Sequence, residues 1–126
     1  MKTMNANKDQ AISFLTLIVE GRISEAFERY SGPDFLHHNP YFKGDAHSLM
    51  VAMEENAKES PNKTMEIHHA VEENNTVVIH SHIKQHHEDL GAAVVHIFRF
   101  HDNKIAEVWD TGQAVPQDSP NENGMF

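Results

Sequence analysis

Asp110 and His96 are the two residues of this chain whose types and spacing best suit acid/base chemistry. They lie in the stretch Val94–Gln113, VVHIFRFHDNKIAEVWDTGQ, which reads as two strands folded back at His101-Asp102-Asn103. Side chains alternate across a strand. A three-residue loop with Asn103 in the left-handed region sets Phe100 opposite Lys104 and puts even-numbered positions of both strands on one face. His96, Phe98, Ala106, Val108 and Asp110 then share a surface. A two-residue loop would swap the parity and separate His96 from Asp110. An aspartate among Phe98, Val108 and Trp109 has its charged form destabilised by desolvation, which moves its pKa towards the range of a working acid or base. The plainer alternative is that Asp110 ends the strand and caps the turn before Thr111-Gly112.

Eleven histidines in 126 residues is an excess that needs sorting by position. In the extended run His37-His38-Asn39-Pro40, neighbouring side chains point to opposite sides, so at most one histidine faces inward. His80-Ser81-His82 sets two imidazoles on one face roughly 7 Å apart. Such a pair can chelate a metal, and His80, His82 and His96 with a water would make a working zinc set. The glycine-rich surroundings and distal second motif of a metal-binding cupin are missing, however. A polar strand face decorated with histidines explains the same pattern. Val77, Ile79 and Ile83 make the odd face the apolar one, but the inward face of this strand stays open. His47, His86, His87 and His101 fall in loops or at element ends, where solvent exposure is expected, and His68-His69 receives no role.

Composition narrows the function classes. Ten basic against 19 acidic residues give a formal charge of −9. Such a chain makes a poor nucleic-acid partner, because phosphate contacts need clustered lysine and arginine. No run of about 18 apolar residues is present, so no membrane span is expected. No charged-then-apolar leader opens the chain, and a cytoplasmic location is expected. With no cysteine, disulfides, thiolate metal sites and thiol nucleophiles are all excluded. No phosphate-binding glycine loop and no G-x-S-x-G elbow occur.

The elements that must position these residues are legible from period. Residues 1–8 are polar and expected to fray. Ala11, Phe14, Leu15 and Ile18 mark a first helix ending at Gly21, and Ile23, Ala26, Phe27 and Tyr30 mark a second, broken by Gly32-Pro33. Asp45 suits the N-cap of a third, whose stripe is Ala46, Leu49, Met50, Met53 and Ala57. After Ser60-Pro61-Asn62 the period changes to two. Four strands are expected: Met65–Val71, Thr76–Gln85, Ala92–Phe100 and Lys104–Gln113. The stretch 116–126 is polar, proline-broken and expected to be an extended tail. Helices followed by antiparallel strands make one α+β domain over 1–126.

The pattern "h-x-I-F-R-F-x-D-N/G-K-I-x-E-x-W-D", with the His38-Asn39-Pro40 upstream, resembles SnoaL-like proteins. These form the polyketide-cyclase branch of the nuclear transport factor-like superfamily. The resemblance implies helices on a curved antiparallel sheet that together enclose a cone-shaped pocket, and a homodimer through the outer sheet face. It also implies cofactor-free and metal-free chemistry on an apolar carbonyl substrate, an aldol-type cyclisation or isomerisation with Asp110 as general acid/base. His38 and His96 are then the other catalytic residues. His80, His82, Phe35, Tyr41, Phe98 and Trp109 are the expected substrate contacts. One departure is that Val108 stands where many relatives carry a polar group. A non-catalytic pocket protein that binds a small apolar ligand is the alternative.

Overall fold

The computed structural model describes residues 6–126, so part of the N-terminal segment expected to fray lies outside the described residues; Ala6–Lys8 are already helical. Helix α1 (Ala6–Val19) buries Ala11, Phe14, Leu15, Leu17 and Ile18 along one stripe. It stops at Gly21, whose φ is +84°. There the Gly21 N–H donates to the Ile18 carbonyl at 3.0 Å and the Arg22 N–H to that of Leu17 at 2.9 Å. This six-residue closure needs a left-handed residue, which glycine supplies without strain. Helix α2 (Ile23–Tyr30) follows directly and buries Ile23, Ala26 and Phe27.

Helix α3 (Ala46–Glu59) starts at Asp45 as expected. Asp45 Oδ2 accepts from the Ser48 N–H at 2.9 Å and Oδ1 from the Ser48 hydroxyl at 2.8 Å. Those two bonds hold the Asp45 carboxyl below its ordinary pKa. Of the stripe expected on this helix only Leu49 is fully buried, while Met53 borders a cavity.

The strands are β1 (Ser31–His37), β2 (Thr64–Glu73), β3 (Thr76–Lys84), β4 (Ala92–His101) and β5 (Lys104–Ala114), in the sheet order β1-β5-β4-β3-β2. Four of them form the expected antiparallel meander. β1 adds a fifth, parallel to β5, so the sheet is mixed rather than wholly antiparallel. Parallel pairing needs a long connection between partners, and here α3 and three strands intervene. The helices cover one face: α1 meets β2 and β3, and α2 and α3 meet β1. Phe14 sits at the centre of the α+β core, with its ring edge-on to Phe27 at 5.2 Å and to Phe98 at 5.9 Å. No described helix is long and apolar enough to cross a membrane.

The β4–β5 hairpin differs from expectation in its turn and arrives at the same pairing. The loop has two residues, Asp102 and Asn103, at φ 51° and 65°, between paired His101 and Lys104. Both positive angles mark the mirror-image turn that matches strand twist. Parity should then be swapped, and next to the turn it is, with Phe100 opposite Ile105. One residue later the register shifts, leaving Ala106 as an extra residue on β5 and Arg99 opposite Glu107. The bulge restores parity, so Phe98 faces Val108 and His96 faces Asp110. Ile105, not Ala106, therefore joins the core.

The 116–126 stretch is irregular, as expected, and crosses the outer face of the sheet. The Phe126 ring stacks on His82 at 4.4 Å, His68 at 4.8 Å and His80 at 5.7 Å.

Candidate functional site

The inner face of β3, β4 and β5 carries Val77, Ile79 and Ser81, then Phe98 and His96, then Val108 and Asp110. Between this face and the helices lies a narrow recess of about 20 Å³, bordered by Phe14, Phe35, His37, Leu49, Val108 and the His96–Asp110 pair. That is room for about one water. It adjoins a wider chamber of about 460 Å³, with Leu15, Asn39, Met53, His96 and Asp110 bordering both. The chamber walls are largely apolar (Ile18, Val19, Met65, Ile83, Val94), and its volume suits a small organic molecule.

His96 is the most constrained titratable group here. Its ring edge reaches the cavity, but Nδ1 is enclosed and lacks a hydrogen-bond partner. The ring stacks on Phe98 at 5.9 Å. Burial pushes its pKa below the ordinary histidine value, and the Asp110 charge opposes this only in part. The imidazole is therefore neutral at neutral pH. Ser81 Oγ is also buried without a partner. Ser81 pairs with Val94, while His96 pairs with Ile79, so the two orphaned atoms sit on diagonal positions of one face.

Asp110 is held from the opposite side by Asn39, whose Nδ2 donates to Oδ2 at 3.2 Å. The Asn39 amide is oriented by the Tyr41 N–H, which donates to its Oδ1 at 3.0 Å. His37 shapes this turn. Its Nδ1 accepts from the Asn39 N–H at 3.1 Å, which leaves the proton on Nε2 to donate to the Lys43 carbonyl at 2.6 Å. The segment just after β1 is thus a polar clamp on a β5 carboxylate.

Of the residues singled out from sequence, Asp110, His96 and Phe35 border the recess. Phe98 lies beneath it as fully buried core. His38 is displaced from its expected place. Phe35 and His37 are the buried positions of β1, so the alternation turns Leu36 and His38 outward. The His38 ring stacks on Trp109 at 4.9 Å and its Nε2 lies 2.6 Å from Glu107 Oε2. Trp109 is consequently an outer-face residue too. Glu107 has its pKa lowered, first by the His38 bond and then by that of Arg99. Tyr41 is 85% exposed and borders, with His38, an open groove that touches Asp110 from outside.

His80 and His82 also face outward, because Val77, Ile79 and Ser81 take the inner face of β3. His80 Nδ1 lies 3.0 Å from His69 Nδ1, and His82 Nε2 lies 2.8 Å from the Leu90 carbonyl oxygen. Neither borders the chamber that holds Asp110; His80 borders instead an outer-face groove with Val95 and Asn121. Among the described residues no group of three or more His, Asp or Glu is arranged to hold a metal ion.

Sequence reasoning missed His37, Asn39 and Lys63 at the cavity, and Ser81 buried on the inner sheet face beside it. Each continues a period-two run whose apolar members were visible: Phe35-x-His37-x-Asn39, Val77-x-Ile79-x-Ser81, and Lys63-x-Met65-x-Ile67. Extending the alternation into polar positions is the sequence signal for these four, and it is readable only once tertiary pairing has set the phase of each run.

A helical layer over a five-strand mixed sheet, with a cavity bordered by a carboxylate–imidazole pair, is an α+β arrangement of the NTF2-like and cystatin-fold type. Solved structures share it. AclR of Streptomyces galilaeus, a hydroxylase candidate, superposes with a TM-score of 0.75 at 18% identity, covering 87% of this chain and 90% of that one. A candidate polyketide cyclase from Acidithiobacillus ferrooxidans gives 0.72 at 17% identity over 89% and 91%. An NTF2-like protein of unknown function from Cytophaga hutchinsonii gives 0.70 at 17% over 90% and 95%. At these identities the likeness establishes fold alone. No curated protein matches the sequence. The SnoaL-like domain family matches residues 11–108, and the chain belongs to that family.

Proposed function

We propose that the protein is a cofactor-free small-molecule enzyme in which Asp110 moves a proton α to a carbonyl on an apolar substrate. The observation that carries this reading is the cross-strand pairing of Asp110 with His96, both bordering the recess and the chamber, with His96 kept there despite an enclosed Nδ1 that has no partner. An unsatisfied buried polar atom costs stability, and a site for substrate is one reason to keep it.

In this reading the Asp110 carboxylate takes the α-proton, and the C–H electron pair moves through the new C=C bond onto the carbonyl oxygen. Neutral His96, protonated on Nε2 because Nδ1 is enclosed, donates a hydrogen bond to the enolate oxygen as charge develops there. Asn39 fixes the orientation of the carboxylate through its bond to Oδ2. The enolate carbon then attacks a second carbonyl or, where the substrate has a β,γ double bond, the dienolate is protonated at its γ-carbon, and Asp110 returns its proton to the resulting alkoxide oxygen or to that carbon. The apolar chamber excludes water from the charged intermediate. Aldol-type cyclisation and isomerisation share these steps.

The test is deuterium exchange by proton NMR, with the protein in D2O and a methyl ketone bearing an aryl body. Exchange that saturates with ketone and is lost in Asp110→Asn supports the reading. Saturable binding without exchange supports a non-catalytic ligand-binding protein instead. We also propose a homodimer through the outer sheet face, where the 116–126 tail already lies; sedimentation at a single monomer mass would refute it.

A further inference from the structure

Lys63 is a half-buried cation on the wall of the chamber that holds Asp110 and His96. It stands just before β2, in phase with the inward residues Met65 and Ile67, and its Nζ donates to Asn56 Oδ1 on α3. Asn56 in turn donates from Nδ2 to Gln85 Oε1 at 3.1 Å, so the neutral acceptor that holds the ammonium is itself anchored. Among the described residues no carboxylate lies within ion-pair distance of Lys63. The one other acid at this end of the chamber is already engaged: Asp89 Oδ2 accepts from the Gln85 N–H at 2.9 Å, and its pKa is lowered by that bond and by one from the Gly91 backbone.

A buried cation is normally paired, because desolvation penalises its charged form. That penalty is evident at Lys63, whose pKa lies below the ordinary lysine value for this reason alone. The ammonium has three donors, and a single protein acceptor uses one of them. The wall on either side is apolar, formed by Met53, Met65 and Ile83.

We propose that the ligand of this cavity is a carboxylic acid with an apolar body, whose carboxylate pairs with Lys63 while its reactive carbonyl lies at Asp110. This substrate class rests on the acid/base reading of the cavity, but it is tested by binding alone. The acid is held at two ends, by charge at Lys63 and by shape along the Met53–Ile83 wall. The corresponding ester keeps only the second.

The probes are 4-oxo-4-phenylbutanoate and its methyl ester, titrated calorimetrically into the full chain at pH 7. The acid is expected to bind about tenfold to a hundredfold more tightly than the ester, the range for one charge-assisted contact in a partly buried site. Lys63→Met should erase that preference and Lys63→Arg should keep it, while Asp110→Asn should keep or widen it. Equal affinities in the wild type overturn the inference with no variant needed, as does a preference that survives Lys63→Met, or no binding of the acid at millimolar concentration. The same samples carry the α-protons that Asp110 would exchange. A Lys63-dependent preference without exchange keeps the inference and sinks the enzymatic reading; exchange on the ester with no preference does the reverse.

Discussion

Replacing His96 by phenylalanine should make the protein more stable and inactive at once. The imidazole is stacked on Phe98, and a phenyl ring at this position keeps that contact. The extra atom has space in the adjoining recess of about 20 Å³. What disappears is the enclosed Nδ1 without a partner. An unsatisfied buried polar atom costs about 1–3 kcal/mol, so His96→Phe should gain about 1–2 kcal/mol at pH 7.5 after some repacking loss. For a domain of this size that raises Tm by roughly 3–10 °C.

The pH dependence sharpens the test. The folded pKa of His96 is depressed by burial, so below the ordinary value of 6.5 the unfolded chain binds a proton that the folded chain resists. Stability contributed by a neutral His96 is present above that value and is lost as pH falls towards the folded pKa. The difference between variant and wild type should therefore grow as pH is lowered from 7.5 to 5, with a slope of at most about 1.4 kcal/mol per pH unit for one proton. Urea denaturation of both proteins across that range gives the curve, and the other ten histidines cancel in the comparison. A variant less stable than wild type at pH 7.5, or a difference that stays flat with pH, would refute the reasoning.

Two further outcomes follow from named contacts. Asn39→Ala removes the Asp110 and Tyr41 bonds together; it should lower α-exchange about tenfold while costing roughly 1 kcal/mol of stability, and unchanged exchange would deny Asn39 its positioning role. Gly91→Ala should destabilise by at least about 2 kcal/mol in a urea midpoint measurement. Gly91 has φ +82°, and a Cβ there would stand 2.5 Å from the Ile83 carbonyl oxygen and 2.8 Å from His82 Nε2.

The α+β layout was readable because helical and strand periods occupy separate halves of the chain, and Gly21, Asp45 and Asn103 punctuate it with residues whose backbone preferences are strong. The facing of His96 and Asp110 was reached through the wrong turn. Asp102-Asn103 allows either loop length locally, and only the bulge at Ala106, which goes with Ile105 buried in the core, decides the register. Local sequence does not encode that choice. For β1 the obstacle was different. Phe35-Leu36 are both apolar, so the alternation has no visible phase until pairing with β5 sets His37 inward and His38 beside Trp109. The histidines of β3 were ambiguous for the opposite reason, since Ser81 interrupts the apolar face that would have shown them to be outward. Lys63 was invisible because a lysine at a strand start reads as solvated, and its burial depends on Asn56 of α3.

Proton transfer by the Asp110 carboxylate, beside a neutral His96, is the step on which the proposed function depends. The measurement that addresses it most directly is the split between binding and exchange in Asp110→Asn, read for 4-oxo-4-phenylbutanoate in one NMR sample. Loss of a general base costs about a hundredfold or more in rate. The dissociation constant should stay within a few-fold of wild type while exchange at the α-carbon falls by that factor. Equal exchange rates in wild type and Asp110→Asn, at equal occupancy, would contradict it.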